Sequence, residues 1–114
     1  MDELIIQSER RGDVHVLRIR GELRDDAPTA LVEAVSEHIA TRGTRIVLDL
    51  SGVSFLGSAG LGALVRVVAQ GNAQECQIIL AEPTPMVLGV LQVTKLDKFF
   101  RVSASVDNAV AVLS

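Results

Sequence analysis

The stretch Ile46-Val47-Leu48-Asp49-Leu50-Ser51-Gly52-Val53-Ser54-Phe55-Leu56-Gly57-Ser58-Ala59-Gly60-Leu61-Gly62-Ala63-Leu64 changes its period part-way along. Ile46, Val47, Leu48 and Leu50 form an apolar run broken only by Asp49, the pattern of a parallel strand buried on both faces. From Leu61 the apolar residues Leu61, Leu64, Val65 and Val68 recur at i, i+3, i+4 and i+7, a helix with one buried face. Between them the sequence predicts a tight glycine loop, with Ser51 and Ser54 flanking Gly52 as turn residues. Ser58 falls where an N-cap is wanted, its hydroxyl placed to accept from an orphan amide of the first turn. Gly60 and Gly62 read as close-packing positions of helix against sheet.

Outward from this unit, Leu4 to Ser8 and Val14 to Arg20 read as strands joined at Arg11-Gly12-Asp13 in a hairpin. Asp25 and Asp26 precede Pro28, a helix start, and Leu31, Val35, His38 and Ile39 mark one face of a helix ending near Gly43. On the far side, Gly71-Asn72 reads as a helix stop, followed by a strand from Gln77 to Leu80. Glu82-Pro83-Thr84-Pro85 is a rigid loop opening a helix that carries Met86, Val87, Val90 and Leu91. Phe99, Phe100 and Val102 suggest a short last strand, and Ala109, Val110, Val112 and Leu113 a closing helix.

The resulting fold class is α/β, a mixed and mostly parallel sheet of about five strands with about four helices. With 114 residues, 48% of them hydrophobic, the chain is expected to form one domain over residues 1–114. Right-handed crossovers set the loops after Arg20, Leu50 and Leu80 on one edge of the sheet, the usual place for a functional site in such folds. Ser58 lies on that edge.

Composition narrows the function. The net charge is −3, and Trp and Tyr are absent, so a nucleic-acid partner is not expected. No apolar run approaches the roughly 20 residues that cross a bilayer, and Met1-Asp2-Glu3 lacks the basic start of a signal peptide, so no membrane partner and a cytoplasmic location are expected. Cys76 is the single cysteine and reads as a partly buried, inert thiol. His15 and His38, widely separated in sequence and without further ligands in view, do not read as a metal site. No cofactor is expected either. The glycine order after the strand is wrong for a dinucleotide fingerprint, and the Lys-Ser or Lys-Thr pair of a P-loop is missing. A nucleophile elbow needs glycines two before and two after the serine. Leu56 occupies the first position, and neither histidine is placed to serve Ser58 as a base, so an enzyme is not expected.

Asp49-Leu50-Ser51-Gly52-Val53 followed by Ser58-Ala59-Gly60-Leu61-Gly62-Ala63-Leu64, with Gly21-Glu22-Leu23 after the second strand, resembles the signature of STAS domains, most closely the bacterial anti-sigma factor antagonists. The resemblance covers nearly the whole chain. It implies that Ser58 is phosphorylated by an anti-sigma factor that is also a kinase, that the unphosphorylated chain binds that kinase and frees the sigma factor, and that a serine phosphatase is a second partner. It implies a partner-binding surface of Gly57, Ser58, Ala59, Gly60, Leu61, Arg24, Asp25 and Asp26, together with the exposed side of the helix from Ser58 to Gln70. The alternative role within the family is a non-switching scaffold subunit of a stress-signalling or lipid-transport complex. Family members usually carry Asp where this chain has Gly57, and commonly Asp where it has Arg24. These two differences move the local charge by about three units in the positive direction.

Overall fold

The computed structural model describes residues 4–24 and 28–114. Among them run β1 (Ile5–Arg11), β2 (Val14–Leu23), α1 (Pro28–Ile39), β3 (Arg45–Leu56), α2 (Ser58–Ala73), β4 (Gln77–Ala81), α3 (Pro85–Val93), β5 (Arg101–Ser103) and α4 (Val106–Leu113). This is the predicted order and an α/β fold. The strands lie side by side in chain order, β1 antiparallel to β2 and all later neighbours parallel. Gly12, at φ 63°, closes the β1–β2 turn in the left-handed region that glycine tolerates best.

Alternation along the strands divides the core in two. Leu17, Ile19, Ile46, Leu48 and Leu80 face α1, α2 and α3, which contribute Leu31, Val35, Leu64, Val67, Val87 and Leu91. Val14, Val16, Val47, Ile79 and Ala81 face the other way and pack under Val106, Ala109 and Leu113 of α4. Three helices on one face is what right-handed crossovers between successive neighbouring strands produce.

Two bulges in β3 shape the edge that carries Ser58. β2 and β3 pair in step from Val14↔Arg45 to Arg18↔Asp49, but then Arg20 pairs with Gly52 and Glu22 with Phe55. β3 therefore carries two extra residues, and its core-facing positions step from Leu50 to Val53 to Leu56 rather than by twos. β4 ends opposite Asp49. Beyond that point β2 and β3 continue alone as a two-stranded ribbon to Leu23 and Leu56.

Asp49 holds the first bulge. It is the charged side chain that is buried among the described residues, 8% exposed, and its Oδ1 accepts the Ser51 amide at 3.0 Å. The Arg18 guanidinium stands 4.0 Å from its other oxygen. Replacement of Asp49 by alanine removes a charged acceptor from a partly buried amide. A loss of about 1–3 kcal/mol in unfolding free energy is expected, read by denaturant titration.

Several sequence expectations are corrected here. The strand predicted to end at Leu50 runs to Leu56, so Ser51, Gly52 and Ser54 belong to β3 rather than to a turn. Ser54 Oγ donates to the Gly21 carbonyl at 3.3 Å across the second bulge. Gly71 does not stop α2, which continues to Ala73. It is buried, and a Cβ on it would lie 2.5 Å from Ile78 Cδ1, so its role is close approach to β4. The surface α2 buries is Gly60, Ala63, Leu64, Val67, Val68 and Gly71, leaving Leu61 and Val65 half-buried at its margin. Phe99 and Phe100 precede β5 in a turn. Phe100 is buried in the main core and Phe99 packs edge-on against it.

Candidate functional site

One residue joins β3 to α2. Gly57, in extended conformation, donates its amide to the Leu23 carbonyl at 3.1 Å and accepts from the Leu61 amide at 2.9 Å. Gly57 is therefore the N-cap, and Ser58, expected in that place, is the first helical residue. The reason is the length of β3: pairing through Leu56 leaves a single residue for the turn. The consequence is chemical. Ser58 is exposed and no side chain caps the helix, so its hydroxyl is not consumed by the fold. The first turn of α2 carries no acidic residue, so no charge of the helix's own offsets the positive end of its dipole beside that hydroxyl.

Gly60 fixes the helix against the ribbon. A Cβ there would stand 2.7 Å from both the Leu23 carbonyl oxygen and Leu23 Cβ, so this glycine is a close approach, as expected. Gly62 is different. Its surroundings are open to 4 Å and it is exposed, so the packing role expected for it is not found. An exposed glycine inside a helix costs about 1 kcal/mol relative to alanine, and no contact among the described residues offsets it.

Leu23 leads directly to Arg24, whose guanidinium lies 4.6 Å from the centre of the Phe55 ring. Arg24 Nε also donates to Glu22 Oε2, and its Nη2 to Oε1 at 3.2 Å. These hydrogen bonds hold the Glu22 carboxyl below its usual range. Phe55 is 38% exposed, and its edge would be 3.2 Å from a Cβ on Gly57. The ring thus bridges Arg24 and the helix start, a contact the sequence reading did not anticipate. The available signal was an aromatic residue in a chain with only three phenylalanines. Of the other expected surface residues, Ala59 and Leu61 are half-buried and Gly60 is buried, while Asp25 and Asp26 lie outside the described residues.

Gly57→Asp would place a capping carboxylate at a position whose backbone any residue adopts, at a helix start that has no side-chain cap and no acid in its first turn. The half-exposed Phe55 ring can yield the few tenths of an ångström required. The expected result is a stabilisation of about 0.5 kcal/mol, seen as a rise of a few degrees in thermal midpoint.

The three loops expected to converge do so only in part. The ends of β2 and β3 meet at Gly57, whose amide bonds to the Leu23 carbonyl. β4 ends a ribbon-length lower, opposite Asp49, and the residue that follows it, Glu82, bonds instead to Ser103 and Val106. Thr84 caps α3, its Oγ1 accepting from the Val87 amide at 3.3 Å. His15 and His38 lie near the opposite end of β3, with rings 4.7 Å apart in an edge-to-face contact. Burial and the charges of His38 and Arg10 lower the His15 pKa. Among the described residues no third His, Cys, Asp or Glu joins the pair.

Comparison with known proteins agrees with this geometry. Residues 6–109 match the sequence model of the STAS domain. The chain belongs to the STAS domain family. This STAS domain is 30% identical over 108 residues to the anti-sigma-F factor antagonist RsfB of Mycobacterium tuberculosis, covering 95% of the chain and 88% of that relative. It superposes on an anti-sigma factor antagonist from Mycobacterium paratuberculosis with a TM-score of 0.80 at 27% identity, covering 97% of this chain and 94% of the other. The unphosphorylated form of the anti-sigma factor antagonist SpoIIAA superposes with a TM-score of 0.74 at 25% identity, covering 93% of each. Among the described residues of this STAS domain, no helix is long and apolar enough to cross a membrane.

Proposed function

We propose that this STAS domain is an anti-sigma factor antagonist. In its unphosphorylated form it binds an anti-sigma factor with serine-kinase activity and so releases the sigma factor, and phosphorylation of Ser58 ends the binding. The observation that carries the reading is the Ser58 hydroxyl, exposed at the mouth of α2 and unused by the fold. The names of the relatives support the antagonist role. A phosphate on Ser58 adds roughly −1.5 to −2 charge next to a helix N-terminus, which the domain itself tolerates. The cost falls on the partner, whose surface must desolvate that charge. A serine phosphatase resets the cycle, which runs in the cytoplasm where sigma factors act, and the domain performs no chemistry of its own. Gly57, Ala59 and Leu61 beside the hydroxyl, and Arg24 on the Phe55 ring that abuts Gly57, are the residues we assign to the kinase contact.

Affinity capture from extract of the native bacterium tests this, with wild type and Ser58→Glu as paired baits and retained proteins identified by mass. Capture of a kinase-like anti-sigma factor by wild type and its loss with the glutamate bait is the expected result. Equal capture of one partner by both baits would make the protein a constitutive scaffold and Ser58 an ordinary surface residue.

A further inference from the structure

His15 and His38 are the only histidines of the chain, and the fold brings them together at the end of β3 opposite Ser58. His15 stands on β2, paired with Arg10 of β1 on one side and Ile46 of β3 on the other. It alternates with Val14 and Val16, which pack under α4, so its side chain is turned to the face that α1 covers. His38 stands in the last turn of α1. Both residues are half-buried, and their ring centres are 4.7 Å apart at an interplanar angle of 68°. His38 Nδ1 lies 3.0 Å from the Ala34 carbonyl oxygen, which can only accept, so this nitrogen carries a hydrogen and the ring is held against its own helix.

The surroundings of the pair are cationic. Burial, the charge of His38 and the charge of Arg10 all hold the His15 pKa down. Among the neighbouring charged residues, Asp13 lies 3.9 Å from Arg10 Nη2, Arg42 pairs with Glu75 at 3.0 Å, and Glu37, next to His38 on α1, is exposed. Arg45 is on the strand face of Val47, opposite that of Ile46. Among the described residues no carboxylate forms an ion pair with either histidine. One proton on the pair leaves a cation against a neutral ring. A second puts like charges on rings 4.7 Å apart, with Arg10 beside them. The chain beyond α1 is tied down separately, the Gly43 amide donating to the Gln74 carbonyl at 3.0 Å and the Cys76 thiol to the Thr41 carbonyl at 3.5 Å.

We infer that the His15–His38 contact is an acid-sensitive latch. With at most one proton it holds the last turn of α1 to β2; with two it releases that turn from the sheet while the Ser58 end keeps its structure. The sign follows from linkage. His15, held below its ordinary pKa in the folded chain, contributes stability that is complete above about pH 6.5 and is lost as the pH falls through the folded value. The inference does not depend on the proposed function, because the latch and Ser58 lie at opposite ends of β3.

The test is an NMR titration of both imidazoles in the wild-type domain from about pH 8 to about pH 5, a range in which the carboxylates largely keep their charge. Hydrogen-exchange protection and thermal melting are measured at the two ends of the range. The rings are expected to titrate in two steps, the second displaced to lower pH by the first. At the acidic end the amides of the last turn of α1, among them Ala40, which bonds to the Ser36 carbonyl, are expected to lose about tenfold or more in protection, and the thermal midpoint to fall by a few degrees. In His38→Gln, His15 is expected to titrate in one step nearer its ordinary value, with the last turn equally protected at both ends. Independent one-step titration of the two rings in wild type overturns the latch. So does equal protection of that turn across the range, a loss of protection spread evenly over the domain, or an acid-induced release that persists in His38→Gln.

Discussion

Ser58→Glu is expected to bind the anti-sigma factor about a hundredfold more weakly than wild type, a loss of about 3 kcal/mol, while melting at or slightly above the wild-type temperature. Both halves follow from the same geometry. Because Gly57 caps α2, the Ser58 side chain holds no backbone amide, and its replacement removes no bond from the domain. A carboxylate in the first turn, where α2 has no acid, gains about 0.3–1 kcal/mol from the dipole. The whole penalty therefore appears at the interface. Ser58→Ala should separate size from charge, retaining affinity within a few-fold while accepting no phosphate. Had Ser58 been the N-cap, both substitutions would have shifted the thermal midpoint. Calorimetric titration and thermal melting of the three proteins distinguish these outcomes.

The second large effect concerns two glycines a single residue apart. Gly60→Val is expected to destabilise the domain by about 2–3 kcal/mol, lowering the thermal midpoint by roughly 10 °C or more. The new side chain meets the Leu23 carbonyl, and that oxygen already accepts the Gly57 amide, so it cannot retreat without opening the β3–α2 corner. Gly62→Ala is expected to do the opposite, stabilising by about 0.4–1 kcal/mol, because its methyl group enters open space in a helix interior. Denaturant titration of the pair reads both signs. Equal destabilisation by the two would mean that α2 sits against the ribbon differently from the arrangement described.

These residues also mark how far the sequence could be read. The change from the Ile46–Leu50 run to the Leu61–Val68 spacing is a change of period, and period is carried by local sequence, so the β3–α2 unit and the α/β order were legible. Bulges are not. They break the alternation of a strand in the way a turn does, and Ser51-Gly52 and Ser54 carry turn chemistry although both sites sit within the β2–β3 pairing. That misplaced end of β3 displaced the helix cap by one residue, from Gly57 to Ser58. Gly60 and Gly62 look alike in sequence, and only the direction each faces around α2 separates a packed position from an open one. The stacking of Arg24 on Phe55 joins residues far apart in the chain, and no local pattern announces such a pair.

The most direct measurement of the central claim is the affinity of this chain for its anti-sigma factor before and after that protein, given ATP, has acted on it, with the modified residue located by mass spectrometry. A single phosphate on Ser58 and an affinity about a hundredfold lower is the predicted result. Phosphate at another residue, or undiminished affinity with Ser58 fully phosphorylated, would contradict it.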